Sequence, residues 1–109
     1  MFRRGDIVAF DFPYADGSGS KLRPALILSN DSIEATGDVI IAMITTRKRE
    51  TDITVELTKN MTDEPMLKPS FVKCHRLFAA EQSKIKGKLS QATGDAMDKI
   101  IKTIIGIIS

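Results

Sequence analysis

Only one side chain in the chain has an ordinary pKa near neutrality, His75, and its neighbour Cys74 is the only thiol. Nucleophilic catalysis needs a base oriented beside the nucleophile. Adjacent residues of a strand point to opposite faces, so Cys74 and His75 cannot form such a pair directly. Gly17-Ser18-Gly19-Ser20 approaches a nucleophile elbow but has neither its spacing nor its strand–turn–helix setting. The same glycines are no phosphate loop, because no Lys-Ser/Thr and no helix follow them. One cysteine and one histidine cannot build a tetrahedral zinc site. Magnesium needs fewer protein ligands, yet no Asp-x-Asp or Glu-x-x-His pattern suggests it. No metal and no cofactor are expected.

Cleavage of RNA asks less of a protein. The substrate brings its own 2′-hydroxyl nucleophile, which leaves orientation, proton transfer and charge stabilisation to the side chains. An arginine suits the charged transition state, since its planar guanidinium donates several charge-assisted hydrogen bonds at once. Arg23 stands where a polar loop meets an apolar run and is followed by Pro24, which stiffens it. The same position suits an arginine that merely closes a strand edge, and the residues alone favour that second account. Thr45 and Thr46 end an apolar run, where a hydroxyl could bond a phosphate oxygen or simply finish a strand. His75 could carry a proton or be structural.

These residues must be positioned by a small scaffold. The chain has 109 residues, the size of one domain, with 42% hydrophobic and 28% charged residues, enough for one core. No apolar run approaches the roughly 20 residues that span a bilayer. Met-Phe-Arg-Arg-Gly-Asp at the start lacks the apolar core of a signal peptide, so a cytoplasmic location is expected. Sixteen basic and 14 acidic residues give a net charge of +2, which says little by itself. The basic residues are clustered, as Arg3–Arg4, Lys21 with Arg23, Arg47–Lys48–Arg49, Lys73 with Arg76, and Lys84–Lys86–Lys88. Gathered on one face they would bind phosphate; scattered, they are solvated charge.

Short apolar or alternating runs predict strands over residues 5–12, 24–29, 38–45, 51–57 and 70–78. Pro, Gly and small polar residues predict a flexible loop over 13–21. One helical turn fits Asn30–Gly37, with Asn30 or Asp31 as cap and Gly37 as stop. In the last strand, alternation puts Ser70, Val72, Cys74, Arg76 and Phe78 on one face and Phe71, Lys73, His75 and Leu77 on the other. Ser90 is then expected to cap a helix whose Met97, Ile100, Ile101, Ile104, Ile105 and Ile108 form an apolar stripe packed on the sheet. Strands first and a helix last predict a mainly β, α+β domain occupying 1–109.

Four stretches, taken in order, resemble the MazF/PemK (Kid-like) toxins of bacterial toxin–antitoxin systems. Residues 4–12 (Arg-Gly-Asp-Ile-Val-Ala-Phe-Asp-Phe) resemble the family's opening strand, and 23–31 (Arg-Pro-Ala-Leu-Ile-Leu-Ser-Asn-Asp) its most distinctive segment. Residues 39–45 resemble its apolar strand ending in Ile-Thr, and 69–78, followed by 87–90, its last strand and the approach to a terminal helix. The resemblance implies an SH3-like, CcdB-like small antiparallel barrel with a C-terminal helix, usually a homodimer. It also implies metal-independent, sequence-specific cleavage of single-stranded RNA, leaving a 5′-hydroxyl and a 2′,3′-cyclic phosphate or 3′-phosphate. The implied partners are single-stranded RNA and a cognate antitoxin that neutralises the toxin. Arg23 becomes the expected charge stabiliser and a candidate proton donor, and Thr45 the family's Ile-Thr threonine. Tyr14, Ser18, Ser20 and Lys21 of the loop, with Thr46, Arg47, Lys48 and Arg76, are the expected RNA contacts. Kid-like members carry Arg-x-Asp as catalytic residues in the last strand, where this chain has Lys73 and His75 as the matching catalytic candidates, and Ala79 replaces a common threonine. Two other readings share the fold: a CcdB-like poison that binds a protein such as DNA gyrase, and a catalytically dead RNA-binding relative.

Overall fold

The computed structural model describes residues 2–109. Six strands, β1 (Asp6–Pro13), β2 (Ser20–Ile27), β3 (Asp38–Thr45), β4 (Thr54–Leu57), β5 (Ser70–Glu81) and β6 (Ile85–Gln91), precede one helix, α1 (Gly94–Ile108). They form a single antiparallel sheet in the order β4-β5-β3-β2-β1-β6. The mainly β architecture with a terminal helix is the expected one. The sheet stops short of a closed barrel, because β4 and β6 are both edges. Beyond those strands the edges do meet, through a single bridge between Thr62 and Ala92. Asp63 N–H donates to the Gln91 carbonyl at 2.9 Å and Thr93 N–H to the Met61 carbonyl at 2.8 Å beside it.

Each face of the curled sheet carries its own core. Ile7, Leu26, Ala42, Ile44, Val55, Leu57, Val72 and Cys74 point toward α1 and meet its Met97, Ile100 and Ile104. Val8, Phe10, Ala25, Ile27, Val39, Ile41, Ala80 and Ile85 pack together on the opposite face. Residues 7–10, 25–28 and 39–44 thus alternate between two buried layers, which is why these stretches read as near-continuous apolar runs. The stripe on α1 is narrower than its isoleucines suggest, since Ile105 and Ile108 are exposed.

The local signals are realised unevenly. Asp31–Thr36 is a 3-10 turn; Asn30 caps it by accepting Ser32 N–H at 2.9 Å, and Gly37 ends it at φ 79°. The connection after β1 is shorter than 13–21, because pairing runs down to Pro13 opposite Ser20. Gly17, at φ 74°, makes the tip, and Asp16 takes both the N–H and the hydroxyl of Ser18, at 2.9 and 2.7 Å. Residues 51–53 leave the expected strand, and Ile53 is exposed, because Asp52 turns the chain back onto Arg49.

Two expectations are corrected. Ser90 does not cap the helix: it is buried in β6, its hydroxyl 2.9 Å from Asp63 Oδ1 and 2.7 Å from the Glu64 carbonyl. Thr93 caps α1 instead, accepting Ala96 N–H at 3.2 Å. The second correction concerns β5. Between the pairs Ala42–Leu77 and Ile44–Val72 its register slips, so that Lys73 to Arg76 bulge opposite Met43 alone. Val72, Cys74 and Leu77 all face the helix-side core, which leaves His75 and Arg76 together on the other side. A bulge reverses the alternation beyond it. Arg76 and Phe78 therefore join Phe71, Lys73 and His75 on one face.

Candidate nucleic-acid interface

That shared face, opposite α1, carries a groove of about 580 Å³. Phe10 and Phe12 of β1 form its floor with Phe78 of β5. The Phe10 and Phe12 rings meet edge to face at 4.8 Å, and Phe12 meets Phe78 at 5.9 Å. Phe10 is buried, Phe12 half-buried and Phe78 exposed, so the three rings present a continuous apolar platform. Lys21, Arg23, Arg76 and Lys84 surround it, with Glu81 as the one carboxylate in the lining. Four cations against one anion make the groove a site for an anionic ligand. Among the described residues none of Lys21, Arg23 and Arg76 forms an ion pair, so their donors are open to a ligand. Arg76 lies over the Phe78 ring at 5.7 Å, a cation held by the platform itself.

Arg23 is placed by β2. It pairs with Phe10 across the β1–β2 ladder and so points to the groove face. The β2–β3 ladder runs Ile27–Ile41, Leu26–Ala42, Ala25–Met43. Continued two residues further, that register sets Thr45 across from Arg23. Thr45 shares the face because its partner on β5 is Phe71. Its hydroxyl accepts Arg47 N–H at 3.1 Å and donates to the Arg47 carbonyl at 3.2 Å. Bonding a phosphate oxygen would require that proton to turn away from the carbonyl.

The other candidates fall into four groups. Tyr14, Lys21 and Arg76 line the groove, as the sequence suggests. Arg47, Lys48 and Thr46 are exposed on the turn after β3, where Lys48 lies over the Phe71 ring at 5.1 Å, further along the same face. Ser18 and Ser20 are exposed at the hairpin and lie outside the groove lining. Lys73 and His75 also lie outside that lining, and both turn to Asp52. Lys73 Nζ is 3.6 Å from Oδ2 and His75 Nε2 is 3.5 Å from Oδ1. The Arg49 N–H, then the charges of Lys73 and His75, hold the Asp52 carboxyl below its usual range. Cys74, on the helix side, is buried, and burial pushes its thiol up, away from nucleophilic chemistry.

Sequence reasoning does not single out Phe10, Phe12, Phe78, Glu81 or Asp52. The phenylalanines read as ordinary core residues, and only the bulge reveals Phe78 as part of the platform. Among the described residues no three of His, Cys, Asp or Glu gather as a metal site. No helix among them is long and apolar enough to cross a membrane.

Known structures share this fold. An endoribonuclease in complex with its cognate antitoxin, from a Mycobacterial species, superposes with a TM-score of 0.80 at 21% identity, covering 99% of this chain and 95% of that one. A chain of the MazE–MazF (Form-II) crystal structure from Deinococcus radiodurans gives 0.78 at 19% identity, over 98% and 95%. The Mycobacterium tuberculosis toxin MazF-mt6 gives 0.73 at 19%, over 94% and 95%. No curated protein is similar enough in sequence to match. Residues 3–108 match the family described as PemK-like, MazF-like toxin of type II toxin–antitoxin systems, and with nearly its whole length matched the chain belongs to that family.

Proposed function

We propose that this toxin is a metal-independent endoribonuclease that cuts single-stranded RNA at short sequence motifs. The observation that carries the reading is the pair Arg23 and Arg76, without ion-pair partners beside an aromatic platform. Single-stranded RNA offers what such a surface takes: phosphates for the cations and splayed bases for the rings. In the reaction the 2′-oxygen bonds to phosphorus and the bond from phosphorus to the 5′-oxygen breaks. The 2′-hydroxyl gives up its proton to a base and the departing 5′-oxygen takes one up. Arg23 stabilises the charge that grows on the non-bridging oxygens, and Thr45 bonds one of them. The products are a 5′-hydroxyl and a 2′,3′-cyclic phosphate or the 3′-phosphate formed from it.

The proposed partners are RNA and an antitoxin, the latter laying an acidic or disordered segment along the four-cation groove and folding as it binds. A similarly folded endoribonuclease is described in complex with its cognate antitoxin, which supports this. A cytoplasmic homodimer is the proposed working form.

The test is cleavage of a mixed-sequence RNA in EDTA. The wild-type protein is expected to cut at defined motifs, and Arg23→Ala to cut about 10²–10³-fold more slowly, the weight of one missing transition-state donor. The thermal midpoint of that variant should stay unchanged. Intact RNA with wild-type protein, together with growth arrest in cells, would overturn the nuclease and favour a poison that binds a protein target.

A further inference from the structure

Asp52 lies in the connection between β3 and β4, yet its side chain is only 7% exposed. A carboxylate even partly withdrawn from water is costly unless its charge is answered by cations and N–H groups. Here Oδ2 accepts the Arg49 N–H at 2.8 Å and sits 3.6 Å from Lys73 Nζ, while Oδ1 sits 3.5 Å from His75 Nε2. The next residue completes the grip on β5. Ile53 N–H donates to His75 Nδ1 in a long hydrogen bond of 3.4 Å, and the Ile53 carbonyl accepts Cys74 N–H at 2.8 Å. Asp52 and Ile53 together hold three successive residues, 73–75, at the start of the bulge.

The two charged residues are held in different ways. Nδ1 of His75 receives an N–H, so in the neutral ring the proton sits on Nε2, facing Asp52. Both ring nitrogens are engaged inside the protein. Lys73 has three N–H donors, and Asp52 takes one direction only. Lys73 itself, between Val72 and Cys74 of the helix-side core, lies on the face that carries Arg23 and Thr45. Asp52 also closes the turn that exposes Arg47, Lys48 and Arg49, through its own N–H to the Arg49 carbonyl at 3.0 Å. The charged groups around Asp52 are thus Lys73 and His75 on β5 and Arg49 in its own turn.

We infer that Asp52 is a positioning residue of the RNA site: it fixes Lys73 directly, and the Arg47–Arg49 turn through its grip on β5, as a preset array of cations for the RNA backbone, with His75 as a strut that transfers no proton. The inference rests on the endoribonuclease reading for its substrate, and only for that. A preset array binds RNA without first ordering long side chains, which lowers the entropic cost of holding each phosphate.

Three measurements test it. The first is the affinity for an uncleavable 2′-O-methyl RNA against salt. Asp52→Asn is expected to bind about tenfold more weakly or worse, the scale of one charge-assisted hydrogen bond. Its log–log salt slope should shrink by about 0.7 for each phosphate that is no longer neutralised. Lys73→Gln, which leaves the Asp52–His75 pair in place, should reproduce the shallower slope even if Asp52→Asn fails to fold. The second is kinetics on a cleavable RNA, where Asp52→Asn should raise KM by the same factor and leave kcat within about threefold. His75→Gln should raise KM without removing a limb of the pH–rate profile. The third uses the fact that His75 is the only histidine. Its imidazole nitrogen spectrum should show the Nε2–H tautomer in the wild type and a shifted or mixed form in Asp52→Asn.

A fall in kcat with KM unchanged in Asp52→Asn, or a missing pH limb in His75→Gln, would overturn the inference and make His75 the proton carrier. An unchanged salt slope in Lys73→Gln would overturn it as well. A wild-type protein that binds RNA but cuts none would sink the nuclease reading alone, because the uncleavable RNA still tests the array.

Discussion

In the first part of its bulge, β5 holds Lys73 and His75 within 3.6 Å of a half-buried carboxylate; at the bulge's end, Arg76 lies over the Phe78 ring with no ion-pair partner among the described residues. The first half answers its charges internally and has backbone neighbours on both sides, β4 and β3. The second half pairs only with β3 and opens onto the groove. Charges that a protein pairs within itself are held in place, and a lysine held by one carboxylate still keeps donors for a ligand. Charges it leaves unpaired on an apolar platform remain available to a ligand. One strand therefore carries a held cation and a free one, and the bulge brings both to the same face.

Deleting Arg76 is the harshest way to break this comparison. With one bulge residue gone, Phe78 and Ala80 would exchange faces with Leu77 and Ala79. The expected cost is about 4 kcal/mol or more, in the range reserved for gross packing errors, read as a collapsed thermal midpoint. A midpoint like that of the wild type would mean that something other than the bulge sets the faces. Phe78→Ala sharpens the comparison from the groove side. Removing one base–aromatic stack, about 1–3 kcal/mol, should weaken binding of uncleavable RNA roughly 5- to 150-fold, with the salt slope unchanged. A changed slope would show that Arg76 left the site along with its ring.

The gentlest test is acid. The carboxyl of Asp52 is held below its ordinary value, first by the Arg49 N–H and then by Lys73 and His75. A group depressed in the folded state stabilises above its unfolded pKa, about 3.9 for aspartate, and loses that contribution as pH falls through the folded value. Stability measured by chemical denaturation between pH 5 and pH 2 (roughly the span of a depressed aspartate,) should therefore fall less steeply in Asp52→Asn. Asp63 titrates in the same direction, held low by the Ser90 hydroxyl and the Gln91 N–H, so the slope should flatten without vanishing. A wild-type slope in the variant would mean that the interactions of Asp52 do not persist in solution.

The sequence is most readable where a residue's place depends on its neighbours along the chain. The apolar run of β3 begins and ends where expected, and Asn30 and Gly37 bound their turn. Charge, loop chemistry and family likeness single out Lys21, Arg23, Tyr14 and Arg76, and these four do line one groove. What stays hidden depends on distant chain. The bulge arises from how β5 must pair with β3 and β4 at once, so strict alternation sends Arg76 and Phe78 to the wrong face. Strand β6 is illegible because Lys86, Gly87 and Lys88 break the apolar pattern. Its backbone is held by β1, through two irregularities in register. Ser90 resembles a helix cap because its real partner, Asp63, is 27 residues away. Asp52 reads like any turn aspartate until folding sets Lys73 and His75 around it.

The unclosed sheet has a consequence of another kind. Two rows of backbone donors and acceptors face outward, one on β4 and one on β6, and such rows invite copies of a protein to zip together. Strand β4 is only four residues long. Along β6 the charges of Lys86 and Lys88 and the shifts in register spoil a flat template, and the Thr62–Ala92 bridge covers one end of both edges. The gap in the barrel is thus guarded against edge-to-edge aggregation by brevity, charge and irregularity.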